Sequence, residues 1–215
     1  LEKQPDAAKQ KDNRGYTPLH QAIWNNAPFK IVDALLKSWP NGAKQKDSLG
    51  DTPLHMACYY KAPLEVVDAL LKAWPDGAKE KDITDSTPLH LACKHALLEV
   101  VDPLLQAWPD AAKEKDIDSH TPLHIACRKE APLEVLRSVL QAWPDVVKEK
   151  DINGSTPLHL ACQNEAPLTV VNSLLQVYPD TVNEQNNTGA TPLHFACHYW
   201  VPLEVIILLF NTWLS

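Results

Sequence analysis

The sequence has few glycines, a deficit of cations and no long hydrophobic run. Only six of its 215 residues are glycine, and they form neither a Gly-rich phosphate loop nor a G-x-S-x-G turn for a nucleophilic serine. The net charge of -7 at pH 7 disfavours nucleic acid as a partner, because that affinity comes largely from Lys and Arg. No stretch approaches the roughly 20 apolar residues of a membrane helix, and no signal-peptide core is present. The sequence therefore predicts an intracellular, cytoplasmic protein that does not insert into membranes.

The cysteines are evenly spaced rather than clustered. They stand at Cys58, Cys93, Cys127, Cys162 and Cys197. Equivalent positions in stacked units would lie ~8 to 10 Å apart, whereas a disulfide needs Cα atoms within about 7 Å. We therefore expect free, buried thiols, which suit a reducing compartment.

The tetrapeptide Thr-Pro-Leu-His recurs along the whole chain. It begins at Thr17, Thr52, Thr87, Thr121, Thr156 and Thr191. Thr as N-cap and Pro at the first helical position favour the start of a short helix. A longer amphipathic helix follows, as in residues 64–71, where Leu64, Val67 and Leu70 recur at helical spacing.

Prolines mark both ends of the longer helix. The sequence predicts prolines within its first turn at Pro28, Pro63, Pro132, Pro167 and Pro202. It predicts the helix end at the residues before a proline, Trp39, Trp74, Trp108, Trp143 and Tyr178. One domain, 1–215, would thus hold a preceding unit's tail at 1–11 and units near 12–46, 47–81, 82–115, 116–150, 151–185 and 186–215.

These T-P-L-H-x-A segments after D-x-x-G turns resemble the ankyrin repeat, from about Pro5 to Trp213. The intervals of 34 or 35 residues exceed the family's usual length of about 33. The Trp-Pro pairs resemble a variant found in ankyrin arrays of unicellular algae. The resemblance implies an all-α solenoid of six stacked helix-turn-helix units with hairpin-like turns. It also implies a non-catalytic protein-protein interaction scaffold without a cofactor.

The recurring histidines and aromatic residues are the main chemical alternatives to a structural role. One histidine per unit, at positions such as His20 and His55, cannot converge on a metal ion; the resemblance implies a hydrogen bond to the neighbouring turn. His95 near Cys93 and His198 beside Cys197 could form activated nucleophiles. The cysteines recur without these histidines, so we predict core cysteines and no catalytic or metal site. The Trp-Pro ladder could bind carbohydrate, although packing between units explains it more simply.

Positions that differ between units are free to recognise a partner. They are Trp24, Asn25, Tyr59, Tyr60, Lys94, His95, Arg128, Lys129, Gln163, Asn164, His198 and Tyr199, with Arg14 and Tyr16 in the first turn. The resemblance places them in a concave groove with the turn tips, and Tyr, Trp and Arg dominate interface hot spots. We hypothesise that the groove binds a protein segment that is at least partly acidic. The alternatives are neutral surface drift and a docking module of a larger enzyme or channel.

Two places depart from the pattern. Ile207 stands where earlier units carry Asp33, Asp68 and Asp102, although a terminal repeat should be polar outside. We expect this C-terminal apolar helix to contact a further repeat, a partner or a second copy. Pro103 lies inside a predicted helix, where it would bend or interrupt the helix and change the local superhelical curvature.

Overall fold

The computed structural model describes residues 7–214, a range that contains helices and no β-strand. Short and long α-helices alternate within this range. They are α1 (Pro18–Trp24), α2 (Phe29–Ser38), α3 (Pro53–Tyr59), α4 (Leu64–Ala73), α5 (Pro88–Lys94), α6 (Leu98–Ala107), α7 (Pro122–Arg128), α8 (Leu133–Ala142), α9 (Pro157–Gln163), α10 (Leu168–Val177), α11 (Pro192–His198) and α12 (Leu203–Leu214). Short 3-10 helices span Ala7–Lys9, Pro40–Lys44, Pro75–Lys79, Pro109–Lys113, Pro144–Lys148 and Pro179–Asn183. The predicted all-helical repeat is confirmed.

The helices form pairs, each a short helix followed by a long one. Three pairs lie in the compact N-terminal half, which ends at Ala111, and three lie in the C-terminal half, which begins at Ala112. Within each half, short helices pack against short helices and long helices against long ones. Each pair thus covers an apolar face of its neighbour, as stacked repeats require.

Every short helix begins with the same local hydrogen bonds. In α3, the hydroxyl of Thr52 accepts from the backbone N–H of His55 at 3.4 Å. In return, Nδ1 of His55 accepts from the backbone N–H of Thr52 at 3.3 Å. This is a capping box in which histidine takes the place usually held by Glu or Gln. The predicted Thr N-cap with Pro at the first helical position is confirmed.

The prolines before the long helices lie one residue earlier than predicted. Pro28, Pro63, Pro132 and Pro167 are N-cap residues with extended ψ angles, and α12 likewise begins after Pro202. The prediction of first-turn prolines was wrong because the fixed φ of proline also suits an extended residue at which the loop enters the helix.

The predicted ends of the long helices are confirmed wherever a proline follows. Trp39, Trp74, Trp108, Trp143 and Tyr178 are the C-cap residues of their helices. Trp213 instead lies inside α12, because Leu214 and not proline follows it. Pro103 does not interrupt α6, which has the same ten-residue length as α4; the change of curvature stays a prediction.

The recurring aromatic residues pack between neighbouring pairs. Trp74 is half-buried, and a Cβ at Gly77 would approach its ring to 3.1 Å. The ammonium of Lys44, from the preceding pair, lies 5.9 Å from the centre of that ring. In the C-terminal half, Lys148 lies 3.5 Å from the ring centre of Tyr178. These contacts support the packing interpretation of the ladder.

None of the five cysteines forms a disulfide, and four of the five are buried as predicted. Burial raises the pKa of Cys93 and of Cys162 to about 12, so these thiols are poor nucleophiles at neutral pH. The exposed Cys197 corrects the prediction that all five are buried. It lies on α11, and within residues 7–214 no further short helix packs on that helix as α11 packs on α9.

Candidate partner-binding surface

The variable residues occupy two equivalent positions at the end of each short helix. The last helical residues are Trp24, Tyr59, Lys94, Arg128, Gln163 and His198. The C-cap residues that follow are Asn25, Tyr60, His95, Lys129, Asn164 and Tyr199. Because the short helices of each half pack side by side, these residues form one row in each half.

The row in the N-terminal half is aromatic and accessible. Trp24, Tyr59 and Tyr60 are 39%, 45% and 40% exposed. The rings of Tyr59 and Tyr60 meet edge to face at 5.0 Å, and Tyr16 meets Trp24 in the same way at 5.9 Å. Such contacts orient the rings without burying them. The row therefore offers preformed aromatic area to a partner.

Two cations lie on this aromatic row. The guanidinium carbon of Arg14 is 5.7 Å from the ring centre of Trp24, and the ammonium of Lys94 is 5.3 Å from that of Tyr59. His95 also meets Tyr59 edge to face at 5.1 Å. Cation–π attraction holds the charged groups against the rings. The contacts thus bring four further predicted site residues to the aromatic row: Arg14, Tyr16, Lys94 and His95.

The turn before α3 also carries two aspartates, Asp47 and Asp51. Asp47 is only 8% exposed, and its Oδ2 has no hydrogen-bond partner within the part of the chain that the structure describes. Burial, with the charges of Asp47 and Asp82, raises the pKa of Asp51 to about 7. The usable sequence signal for this pair is Asp51, because the residue before the Thr N-cap in the other units is Tyr16, Ser86, His120, Ser155 or Ala190, none of which is acidic.

The row in the C-terminal half is polar and cationic. Arg128 and Lys129 are exposed. Nη1 of Arg128 lies 3.5 Å from Nε2 of the buried His120, whose two ring nitrogens are 3.4 and 3.7 Å from carboxylate oxygens of Asp116 and Asp151. Arg128 therefore lies beside an imidazole that itself neighbours two carboxylates.

A cleft of about 430 Å³ adjoins Arg128 in this half. Its lining residues are Asp118, His120, Arg128, Asp151, Ile152, Asn153, Leu160 and Gln163. Both charge signs and two amides line it, so it suits a polar side chain better than an apolar one.

The remaining predicted site residues are partly occupied by local contacts. Gln163 donates from Nε2 to the hydroxyl of Tyr199 at 3.4 Å, and Asn164 donates to the carbonyl of Leu160 at 2.8 Å. His198 meets the Tyr199 ring edge to face at 4.7 Å. Asn164 therefore closes its own helix end, while His198 stays exposed.

The outer face of α12 is apolar. Leu203, Ile207, Phe210 and Leu214 follow one another at helical spacing and are all exposed. Equivalent positions such as Leu36 are buried under the next long helix. The predicted contact of this helix with a further repeat, a partner or a second copy stays a prediction.

The recurring histidines have a structural role. Nε2 lies 3.0 to 3.3 Å from a backbone carbonyl oxygen of the next pair in the contacts His20–Asp51, His55–Ser86, His124–Ser155 and His159–Ala190. This confirms the hydrogen bond that the resemblance implied. Between residues 7 and 214, no group of three or more His, Cys, Asp or Glu could hold a metal ion. None of the helices in that range is long and apolar enough to cross a membrane.

A family model described as ankyrin repeats in three copies matches the chain in four overlapping segments. They are residues 1–85, 29–113, 65–149 and 123–212, which together span 1–212. None of the curated proteins matches the sequence.

Proposed function

Because the chain belongs to the ankyrin-repeat family, we propose that it is a non-catalytic scaffold that binds a protein segment along the ends of its short helices. Ankyrin repeats generally mediate protein-protein interaction. The contacts that all pairs share, such as the Thr52–His55 cap, serve folding. The row residues do not share this role, since they differ from pair to pair.

One observation carries this proposal: equivalent positions at the helix ends are exposed or half-buried but chemically different. Leu54 and Leu89 keep the same buried role in successive short helices. In contrast, the last residues of those helices are Tyr59 and Lys94, both exposed. Stacking explains the first kind of residue, and recognition by a partner explains the second.

The two halves suit different features of a partner segment. The N-terminal row offers Trp24, Tyr59 and Tyr60 as contact area, which hot spots of protein interfaces commonly use. The C-terminal row offers Arg128 and Lys129, which attract acidic side chains. We therefore propose a partner segment that contains acidic residues and at least one apolar or aromatic side chain.

The test is affinity capture from a cell extract on the immobilised chain, with quantitative mass spectrometry of the bound proteins. Two surface variants are compared with the wild type, Tyr59→Ala/Tyr60→Ala and Arg128→Glu/Lys129→Glu. The matched control, Lys37→Glu/Lys72→Glu, reverses the same number of charges on α2 and α4. We expect the surface variants to lose proteins that the control retains. Equal capture by all three variants would place the binding surface elsewhere.

A further inference from the structure

The turn before α3 brings two carboxylates together. The backbone N–H of Asp47 donates to the carbonyl of Asp51 at 3.0 Å. Oδ1 of Asp47 accepts from the backbone N–H of Asp51 at 2.9 Å and from that of Leu49 at 2.8 Å. These bonds close the turn and use one oxygen of Asp47. Its second oxygen is not needed for the turn.

That second oxygen, Oδ2 of Asp47, is buried without a hydrogen-bond partner in the described chain. A buried, unsatisfied acceptor costs free energy, more so when it is charged. Native structures keep such a group mainly where a ligand, water or ion completes it. The position of Asp47 therefore points to something outside this chain.

The equivalent oxygen of the first turn is satisfied from within the chain. In the first turn, Oδ2 of Asp12 accepts from Nε2 of Gln21 at 2.9 Å. The residue 35 positions after Gln21 is Met56, which has no N–H in its side chain. Asp47 therefore lacks the donor that Asp12 has.

The turn before α7 carries a different group beside the corresponding carboxylates. There the residue before the Thr N-cap of α7 is His120, which lies between the carboxylates of Asp116 and Asp151. At the equivalent position before α3 stands Asp51. The turn before α3 thus has a second carboxylate where the turn before α7 has an imidazole.

Two tyrosines border the carboxylates. Burial, followed by the charges of Tyr60 and Asp47, raises the pKa of Tyr16. Burial, followed by Tyr59, Asp51 and Asp47, raises the pKa of Tyr60. Both phenols are therefore within electrostatic range of both carboxylates and also of Arg14, whose charge lowers both pKa values.

We propose that Asp47, Asp51, Tyr16 and Tyr60 form a subsite for a cationic side chain, a guanidinium or an ammonium, of a protein partner. Carboxylates accept charge-assisted hydrogen bonds from such groups, and tyrosine faces attract them. This inference rests on the proposed function, because the cation is part of a bound segment. It names one residue type that the partner must carry beside its acidic residues.

The test is an NMR titration of the 15N-labelled chain with small probes. Nα-acetyl-arginine amide and Nα-acetyl-lysine amide each supply one side-chain cation, and Nα-acetyl-citrulline amide, called citrulline amide below, is a neutral isostere of the first. We expect either cation to shift the backbone amides of residues 47–51 and of Tyr16, with citrulline amide without effect. Asp51→Ser, which copies Ser86 of the next turn, should raise the dissociation constant about tenfold or more.

A second variant tests the role of Asp47 without removing a residue that closes the turn. Met56→Gln introduces the side-chain amide that Gln21 supplies in the first turn. This amide should donate a hydrogen bond to Oδ2 of Asp47, so that the cation binds about tenfold more weakly. Thermal unfolding of each variant checks that it folds. In the folded variant, an unchanged dissociation constant would overturn the role of Asp47.

Three other results would overturn the subsite. They are equal shifts with citrulline amide, shifts with Mg²⁺ but with neither cationic probe, and cation-induced shifts confined to other residues. The capture experiment separates this failure from that of the proposed function. If Tyr59→Ala/Tyr60→Ala still loses its captured proteins while neither cation binds at Asp51, the scaffold function stands without the subsite.

Discussion

Nε2 of His55 lies 3.1 Å from the carbonyl oxygen of Ser86 in the following helix pair. Because Nδ1 of the same ring accepts from the backbone N–H of Thr52, the ring is neutral and carries its proton on Nε2. His55 therefore links the start of its own helix to the next turn. Protonation of Nδ1 would break the hydrogen bond that Nδ1 accepts from the backbone N–H of Thr52.

We expect the array to lose stability in mild acid. Burial lowers the pKa of His55 to about 4 and that of His124 to about 3, from 6.5. The unfolded chain therefore binds more protons, and stability present above pH 6.5 is lost as the pH falls toward these values. Each histidine contributes a slope of up to ~1.4 kcal/mol per pH unit. Urea denaturation at pH 7, 6 and 5 measures the loss.

His55→Gln should flatten this pH dependence, whereas His198→Gln, a change at an exposed residue, should leave it unchanged. An identical pH dependence of the free energy of unfolding in the wild type and in His55→Gln would contradict a buried, neutral His55.

Two glycines with the same backbone conformation allow the contact between turns to be measured. Gly50 and Gly189 have φ angles of +76° and +79°. A Cβ at Gly50 would lie 3.1 Å from the backbone nitrogen of Ile83, whereas one at Gly189 would meet nothing within 4 Å. Gly189→Ala should cost ~1 kcal/mol of left-handed strain. Gly50→Ala should cost about twice that or more, because the next turn must also move. Equal losses in urea denaturation would show that the turns do not constrain each other.

Asp51 should cost stability at neutral pH. Burial and its acidic neighbours raise its pKa from 3.8 to about 7, so the folded chain binds more protons than the unfolded chain between these values. Stability linked to this proton is present below pH 4 and is lost as the pH rises toward 7. Asp51→Ser should therefore stabilise the chain at pH 8, by ~1 kcal/mol after allowance for solvent screening.

The same variant should bring little gain at pH 3, where the carboxyl is mostly protonated in both states. Thermal unfolding at the two pH values checks the difference. Loss of stability at pH 8 would show that Asp51 serves the turn and is not a strained binding residue.

The apolar face of α12 predicts self-association. Ile207 is 50% exposed and stands where α2 and α4 carry Asp33 and Asp68. Ile207→Asp restores that carboxylate on the outer face, and we expect it to lower the apparent mass at high concentration. Light scattering over a concentration series measures this, and a wild type that is monomeric throughout would contradict the prediction.

Several features of the fold could be predicted because their causes are local. The Thr52 cap and the end of α4 at Trp74 follow from hydrogen bonds and proline sterics within a few residues. The exposure of Cys197 could not be predicted in this way, because its sequence neighbours resemble those of the buried Cys162. The two cysteines differ because α11 packs on α9, the helix that carries Cys162.

The candidate site shows the same division. Comparison of units identified Tyr59, Tyr60 and Lys94 as variable residues, and the structure places them together at the helix ends. The comparison did not identify Asp47, because an aspartate opens every turn but one, where Asn186 stands. Asp47 differs from Asp12 because its Oδ2 has no hydrogen-bond partner in the described chain, whereas Oδ2 of Asp12 accepts from Gln21.

The sequence by itself determined the repeat, its helices and their caps, since a periodic pattern and short-range hydrogen bonds specify them in any one unit. The tertiary structure alone decided which polar atoms stay unsatisfied. Whether Oδ2 of an aspartate is paired depends on the side chain packed beside it, as with Asp12, whose Oδ2 accepts from Nε2 of Gln21. Burial and pairing are properties of the packed units, and from them the candidate binding chemistry of this protein arises.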